Sequence, residues 1–282
     1  MIHLQSRRAA LALLAASLLH AQALAAQLAP ARDTSATPSS HAQLFTARDA
    51  ALAAGFAGLT VAMFPLDKTI ARRLEHDTTI KNFTDRGATA VELISVPGAY
   101  ILAPALYAYG RVTHHQGIQD LGLHSTEAIV LASGVTGVLK GLLGRSRPFV
   151  TRDSNPHDFH FGKGFLNEDL SALPSGHTTV AFAAASSVTS ELAHLWPGHT
   201  WIVAPVMYGG ATLVGIGRMY HDKHWASDIA LAAGIGMFSG LKVVKYAHDH
   251  PDNYVDRMLL HASIAPDGHG GGSLAWTVPV RP

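Results

Sequence analysis

No cysteine occurs among the 282 residues of the chain. Disulfides, thiolate nucleophiles and cysteine-ligated metal sites are excluded together. Export is not excluded, because a large helical core does not depend on disulfides. Charge is scarce too: 15% of the residues are charged, where about a quarter is usual. The formal net charge is +1, so no bulk field points to nucleic acid as a partner. The chain is instead rich in apolar residues, 48% of the total, and in alanine and glycine. It is long enough to bury a sizeable core, in one large domain or two small ones.

The first residues have the grammar of a secretory signal. Arg7 and Arg8 form a charged region, Ala9 to Leu19 an apolar one, and Ala23-Leu24-Ala25 an A-x-A cleavage site. Residues 1–25 are therefore set apart from the fold, against the alternative of an uncleaved anchor. Residues 26–44 are rich in Pro, Ser and Thr and read as a flexible lead-in. From 45 to 248 the pattern is apolar blocks of helical length, near 48–64, 88–109, 124–143, 177–194, 200–217 and 225–246, separated by Gly, Pro and charge. Such runs are too long for strands, so the fold class is all-α, a six-helix antiparallel bundle. An amphipathic seventh helix is predicted at 67–82. The break from Arg145 to Leu173 is the longest, and loops of that length carry function more often than not. The tail, 249–282, suggests two short extended pieces about a Gly-rich turn.

Three polar islands interrupt the blocks. "KGLLGRSRP" puts Lys140, Arg147 and Pro148 at the end of the third. "PSGH" puts Ser175, Gly176 and His177 at the start of the fourth. "GRMYHDKHWASD" puts Arg218 at the end of the fifth, and His224 and Asp228 at the start of the sixth. In an up-and-down bundle the end of one helix neighbours the start of the next, so all three islands meet at one pole. Three cations there suit phosphate oxygens, arginine with a planar fork and lysine as a point charge. Ser175 is placed to cap its helix, and Gly176 lets a ligand approach the backbone at that helix start. His224 is placed to attack phosphorus and His177 to protonate the leaving oxygen. Asp228, four residues on, shares a helical face with His224 and is expected to orient its imidazole from behind.

These islands resemble the three signature motifs of the type 2 phosphatidic acid phosphatase and vanadium haloperoxidase superfamily. Lys140 and Arg147-Pro148 match the first, residues 174–177 the second, and Arg218, His224 and Asp228 the third. The resemblance covers about residues 48–247. It implies a six-helix core and metal-independent hydrolysis of phosphate monoesters, lipid phosphates or small esters, through a phosphohistidine. His224 would be nucleophile, Asp228 its partner and His177 the general acid. Lys140, Arg147, Ser175, Gly176 and Arg218 would hold phosphate. No cofactor is implied, although the same pocket would accept vanadate, as an inhibitor or as the cofactor of a haloperoxidase. A haloperoxidase is usually much longer, which makes it the alternative reading; a non-enzymatic envelope protein is the second. Gly217 stands where the family has Ser, a loss expected to tune activity.

The eighteen histidines invite a metal reading at His114–His115, His157/His160 and His248/His250, but none has a convincing partner set, and no metal site is expected. Glu92, Glu127 and Glu191 sit inside apolar blocks and read as pairing with core polar groups or facing water. Phe149, Phe159, Phe161 and Trp225 are candidates for the substrate entrance. The blocks approach spanning length, yet are Ala/Gly-rich, and the mean hydropathy is only +0.17. The expected location is the periplasm or cell envelope, with membrane insertion left open.

Overall fold

The computed structural model describes residues 44–75, 94–251 and 253–256, and the backbone of two strands in the tail. The signal, the lead-in to 43 and Glu92 lie outside the described residues. Among the described residues the long elements are helices: α1 (Ala47–Glu75), α2 (Ala99–Val112), α3 (Gln116–Leu143), α5 (Gly176–Leu195), α6 (Thr200–Tyr220) and α7 (Ala226–Asp249), with a short α4 (Pro148–Thr151). The fold is all-α apart from an antiparallel pair, β1 (Ala262–Pro266) and β2 (Gly272–Trp276).

The start of α1 is set by a reciprocal cap. The Thr46 amide donates to Asp49 Oδ2 at 2.7 Å, and the Asp49 amide to Thr46 Oγ1 at 3.4 Å. The helix continues unbroken through Pro65. The block at 48–64 and the predicted helix from 67 are thus one element as far as Glu75; residues 76–82 lie outside the described residues. Its buried positions, Leu52, Phe56, Thr60, Asp67, Ala71 and Leu74, recur at helical spacing and form one stripe.

The centre of the bundle is the α5–α7 pair. Gly236 and Gly240 lie one turn apart on α7, where a side chain has no room. A Cβ would come 2.3 Å from the Thr179 carbonyl at Gly236 and 1.8 Å from Ser186 Oγ at Gly240. Small residues four apart let two backbones approach closely. Around this seam Phe182, Ala185, Tyr208, Ala233 and Met237 pack with Leu52 and Phe56 of α1.

Large apolar side chains also lie on the outer surface. Val130, Leu131, Val135, Val138 and Leu142 of α3 are exposed, as are Trp201, Ile202, Val206 and Leu213 of α6. Among the described residues four segments, Ala47–Leu74, Gln116–Leu143, Pro197–Tyr220 and Ala226–Asp249, are long and apolar enough to cross a membrane. The sparse charge of the sequence therefore reflects apolar outer faces as well as a core.

Candidate active site

At one pole the ends of α1, α3 and α6 meet the starts of α5 and α7. Lys140 is in the last turn of α3, and Gly144 ends that helix in the left-handed region, φ 58°. A Cβ at Gly144 would lie 1.9 Å from the His160 carbonyl, so glycine alone allows the chain to fold back here. The stretch after it is not structureless: it contains α4 and two 3₁₀ turns, Lys163–Phe165 and Glu168–Leu170. Backbone bonds from Ser146 to the Asp158 carbonyl, Arg147 to Asp169 and Ala172 to Arg145 tie it down.

His224 lies in the turn between α6 and α7 and is buried. Its Nδ1 is 2.7 Å from the Ala172 carbonyl, and 3.6 Å from Asp228 Oδ2. The carbonyl, which cannot donate, fixes the tautomer: Nδ1 carries the proton and Nε2 the lone pair. Asp228 was expected to hold the ring directly and is instead its second neighbour. Its carboxylate takes the Trp225 amide at 2.8 Å and Arg145 Nη1 at 2.5 Å. Burial first, then the charges of Lys140, Arg218 and Arg147, hold the His224 imidazole well below its ordinary pKa of 6.5. The ring is thus neutral, and surrounded by the three cations that the sequence assigns to one phosphate.

Arg147 is buried between Glu168 Oε1 and Ser171 Oγ, both 3.2 Å from Nη2. Its Nε is buried with no hydrogen-bond partner. Lys140 Nζ donates to the Ser171 carbonyl, and its Cε passes 3.7 Å from where a Cβ on Gly176 would sit. Gly176 and the partly exposed His177 form the first turn of α5. Ser175 occupies the N-cap position, but its side chain makes no cap bond; its Oγ accepts from Thr178 Oγ1 at 2.9 Å. The helix start therefore keeps its amides for another acceptor, which favours an anion there. Arg218, in the last turn of α6, is buried. The eight residues singled out in the sequence thus lie around a single pole.

The sequence did not single out what holds that pole. Arg145 is fully buried and bridges two buried carboxylates, Asp228 through Nη1 and Asp67 of α1 through Nη2 at 2.7 Å. Nη1 also reaches Ser227 Oγ at 2.7 Å, and Nε and Nη2 reach the Pro156 carbonyl at 2.9 and 2.7 Å. Asp67 in turn takes the Ser227 amide at 2.8 Å. The guanidinium lies 4.6 Å from the Phe64 ring centroid and 5.5 Å from that of Phe159. Phe159 is therefore a support for Arg145. Trp225 is fully buried and donates to the Ser146 carbonyl at 2.9 Å, so it does not line an entrance. Phe149 and Phe161 are exposed.

Comparison with known proteins points the same way. Residues 122–252 match the family model described as the PAP2 superfamily. A stretch of 89 residues, 30% of this chain, is 37% identical to the lipid A 1-phosphatase of Porphyromonas gingivalis. The match covers 19% of that protein, so the chain spans about a fifth of the relative's length. The crystal structure of the first transmembrane PAP2 type phosphatidylglycerolphosphate phosphatase from Bacillus subtilis aligns with 18% identity, over 69% of this chain and 98% of that one. Its TM-score is 0.32, too low to carry an argument.

Proposed function

We propose that the chain, whose residues 122–252 match the PAP2 superfamily model, is a membrane-embedded phosphatase of lipid phosphate monoesters. The observation that carries this reading is the state of His224: buried, neutral, with Nδ1 committed to the Ala172 carbonyl and Nε2 left for attack among Lys140, Arg147 and Arg218. The lipid substrate rests on two further points. The outer faces of α3 and α6 are apolar, and the similar protein from P. gingivalis is named for a phosphate on a lipid.

The reaction runs in two displacements. His224 Nε2 attacks phosphorus; the P–N bond forms as the P–O bond to the lipid breaks, and the leaving oxygen takes its proton from His177. Water then attacks the phosphorus; a P–O bond forms as the P–N bond to His224 breaks, the water's proton goes back to His177, and inorganic phosphate leaves. Charge grows on the equatorial oxygens, where Arg147, Arg218, Lys140 and the α5 amides meet it. Asp228 steadies the imidazolium character of His224, and Arg145 with Asp67 holds Asp228 in place. No metal takes part in either displacement.

The test is phosphate release by detergent-purified protein, with phosphatidic acid and a lipid A phosphate in micelles beside a soluble aryl phosphate, and His224→Ala as the blank. Release from the lipids at much higher kcat/KM than from the aryl ester is expected. Preference for the soluble ester would refute the lipid assignment. Equal release by His224→Ala would refute the nucleophile.

A further inference from the structure

We propose that the chain binds one divalent ion of the zinc type at the pole opposite the active site, with His124, Glu191 and His248 as ligands. The three come from α3, α5 and α7, and their ligand atoms all lie within 4.8 Å of one another. His124 Nδ1 meets Glu191 Oε1. His248 Nε2 is 3.0 Å from Glu191 Oε2 and 3.2 Å from Oε1. His124 and Lys140 are sixteen positions apart on α3, about 24 Å at 1.5 Å per residue, so this cluster is no part of the phosphate site.

The surroundings carry more acceptors than the imidazoles satisfy. Four carboxylates, Asp120, Glu127, Glu191 and Asp256, share this end, and among the described residues their leading positive partners are His124 and His248. Asp256 is 6% exposed, with Oδ2 3.7 Å from His124 Nε2 and Oδ1 without a hydrogen-bond partner. Glu127 is half-buried beside it, its carboxyl facing that of Asp256. A divalent ion here also explains Asp256, which then backs a ligating His124 from its other nitrogen, the usual support for a metal-bound imidazole.

The donor set selects the ion. Two imidazoles and a carboxylate, without sulfur, suit zinc and its neighbours. Calcium and magnesium prefer all-oxygen sites. His248, with 35% of its side chain exposed, offers the way in, and its ring stacks on His194 at 4.0 Å. The ion would clamp α3, α5, α7 and the 253–256 turn together far from the chemistry.

The experiment uses the untagged full chain in detergent, stripped with EDTA, desalted and titrated with Zn²⁺ and Co²⁺. Metal per chain, the visible band of tetrahedral cobalt and the melting temperature are read. The structure calls for one ion per chain, retained by the His177→Ala/His224→Ala double variant, with a melting temperature that rises when zinc is added. Affinity falls at least about tenfold in Glu191→Gln and in His248→Ala, while His248→Ala keeps its kcat. If Glu191→Gln does not fold, the half-exposed His248 carries the comparison. No stoichiometric metal in the wild type, binding unmoved by both substitutions, or binding lost in the double variant overturns the site and leaves a plain ion-pair cluster. Because the double variant lacks both imidazoles assigned to the chemistry, the outcome is independent of the phosphatase reading.

Discussion

Arg145→Met is the most informative perturbation of the catalytic pole. Five hydrogen bonds leave this guanidinium, to Asp67, Asp228, Ser227 and twice to the Pro156 carbonyl. Both carboxylates and the arginine are fully buried. Methionine fills most of the volume but leaves two buried carboxylates facing each other. Removing one partner of a buried pair costs about 3–5 kcal/mol, because the remaining charge is uncompensated. That is two to four orders of magnitude in the folded fraction at about 1.4 kcal/mol per tenfold. Thermal unfolding in detergent, followed by circular dichroism, reads the loss. Phosphate release below the lowered transition reads the second effect: Asp228 has lost its anchor, 3.6 Å from His224 Nδ1, so kcat falls while KM changes little. Asp67→Asn in the Arg145→Met background should recover part of the stability, by removing one of the stranded charges. A variant as stable and as active as the wild type would refute the argument that this bridge organises the pole.

Other consequences are open to measurement. His224 is held well below its ordinary pKa of 6.5, so the acid limb of kcat/KM, which reports the free enzyme, should lie below pH 6.5 once the substrate's own ionisation is allowed for. An acid limb of the enzyme at or above 6.5 counts against it. The same shift lowers stability as pH falls below about 6.5, since the unfolded chain takes up a proton at His224 that the folded chain refuses; denaturation midpoints against pH, compared with His224→Gln, check the sign. Gly240→Leu drives a side chain into Ser186 and the Ser187 amide; overpacking of this kind costs about 1–3 kcal/mol, and unchanged melting would mean that the seam is loose. With four helices of spanning quality among the described residues, the protein should stay with membranes through alkaline carbonate and leave them only in detergent. Release by carbonate would place it on the surface instead.

Lys140, Arg147, Arg218, His224 and Asp228 were legible in the sequence because each stands at the boundary of an apolar block, where a helix ends or starts. Their supports were not legible. Asp67 and Arg145 are 78 positions apart, Asp67 and Ser227 160, and Asp67 sits in a run that reads as the polar side of an amphipathic helix. The acceptor that fixes His224 is a main-chain carbonyl, for which Ala172 carries no side-chain signal. Ser175 has the residue type of a cap, yet Thr178, three positions on, offers its hydroxyl a donor inside the protein. The block at 48–64 and the helix predicted from 67 read as two elements, and Pro65 lies inside the single helix they form. His124, Glu191 and His248, spaced 67 and 57 positions apart, look like scattered polar residues until three helices bring them together.

The most direct measurement of the central claim is the site of phosphorylation. His177→Ala, given an aryl phosphate whose leaving group needs no acid, should load phosphate onto the enzyme and discharge it slowly. The reaction is quenched in alkali, where a phosphohistidine survives, and the peptides are weighed. A phosphoryl group on the peptide carrying His224, absent when His224→Ala is added, is the expected result. A phosphoryl group on any other residue, or undiminished turnover of the single His224→Ala variant, would contradict the account.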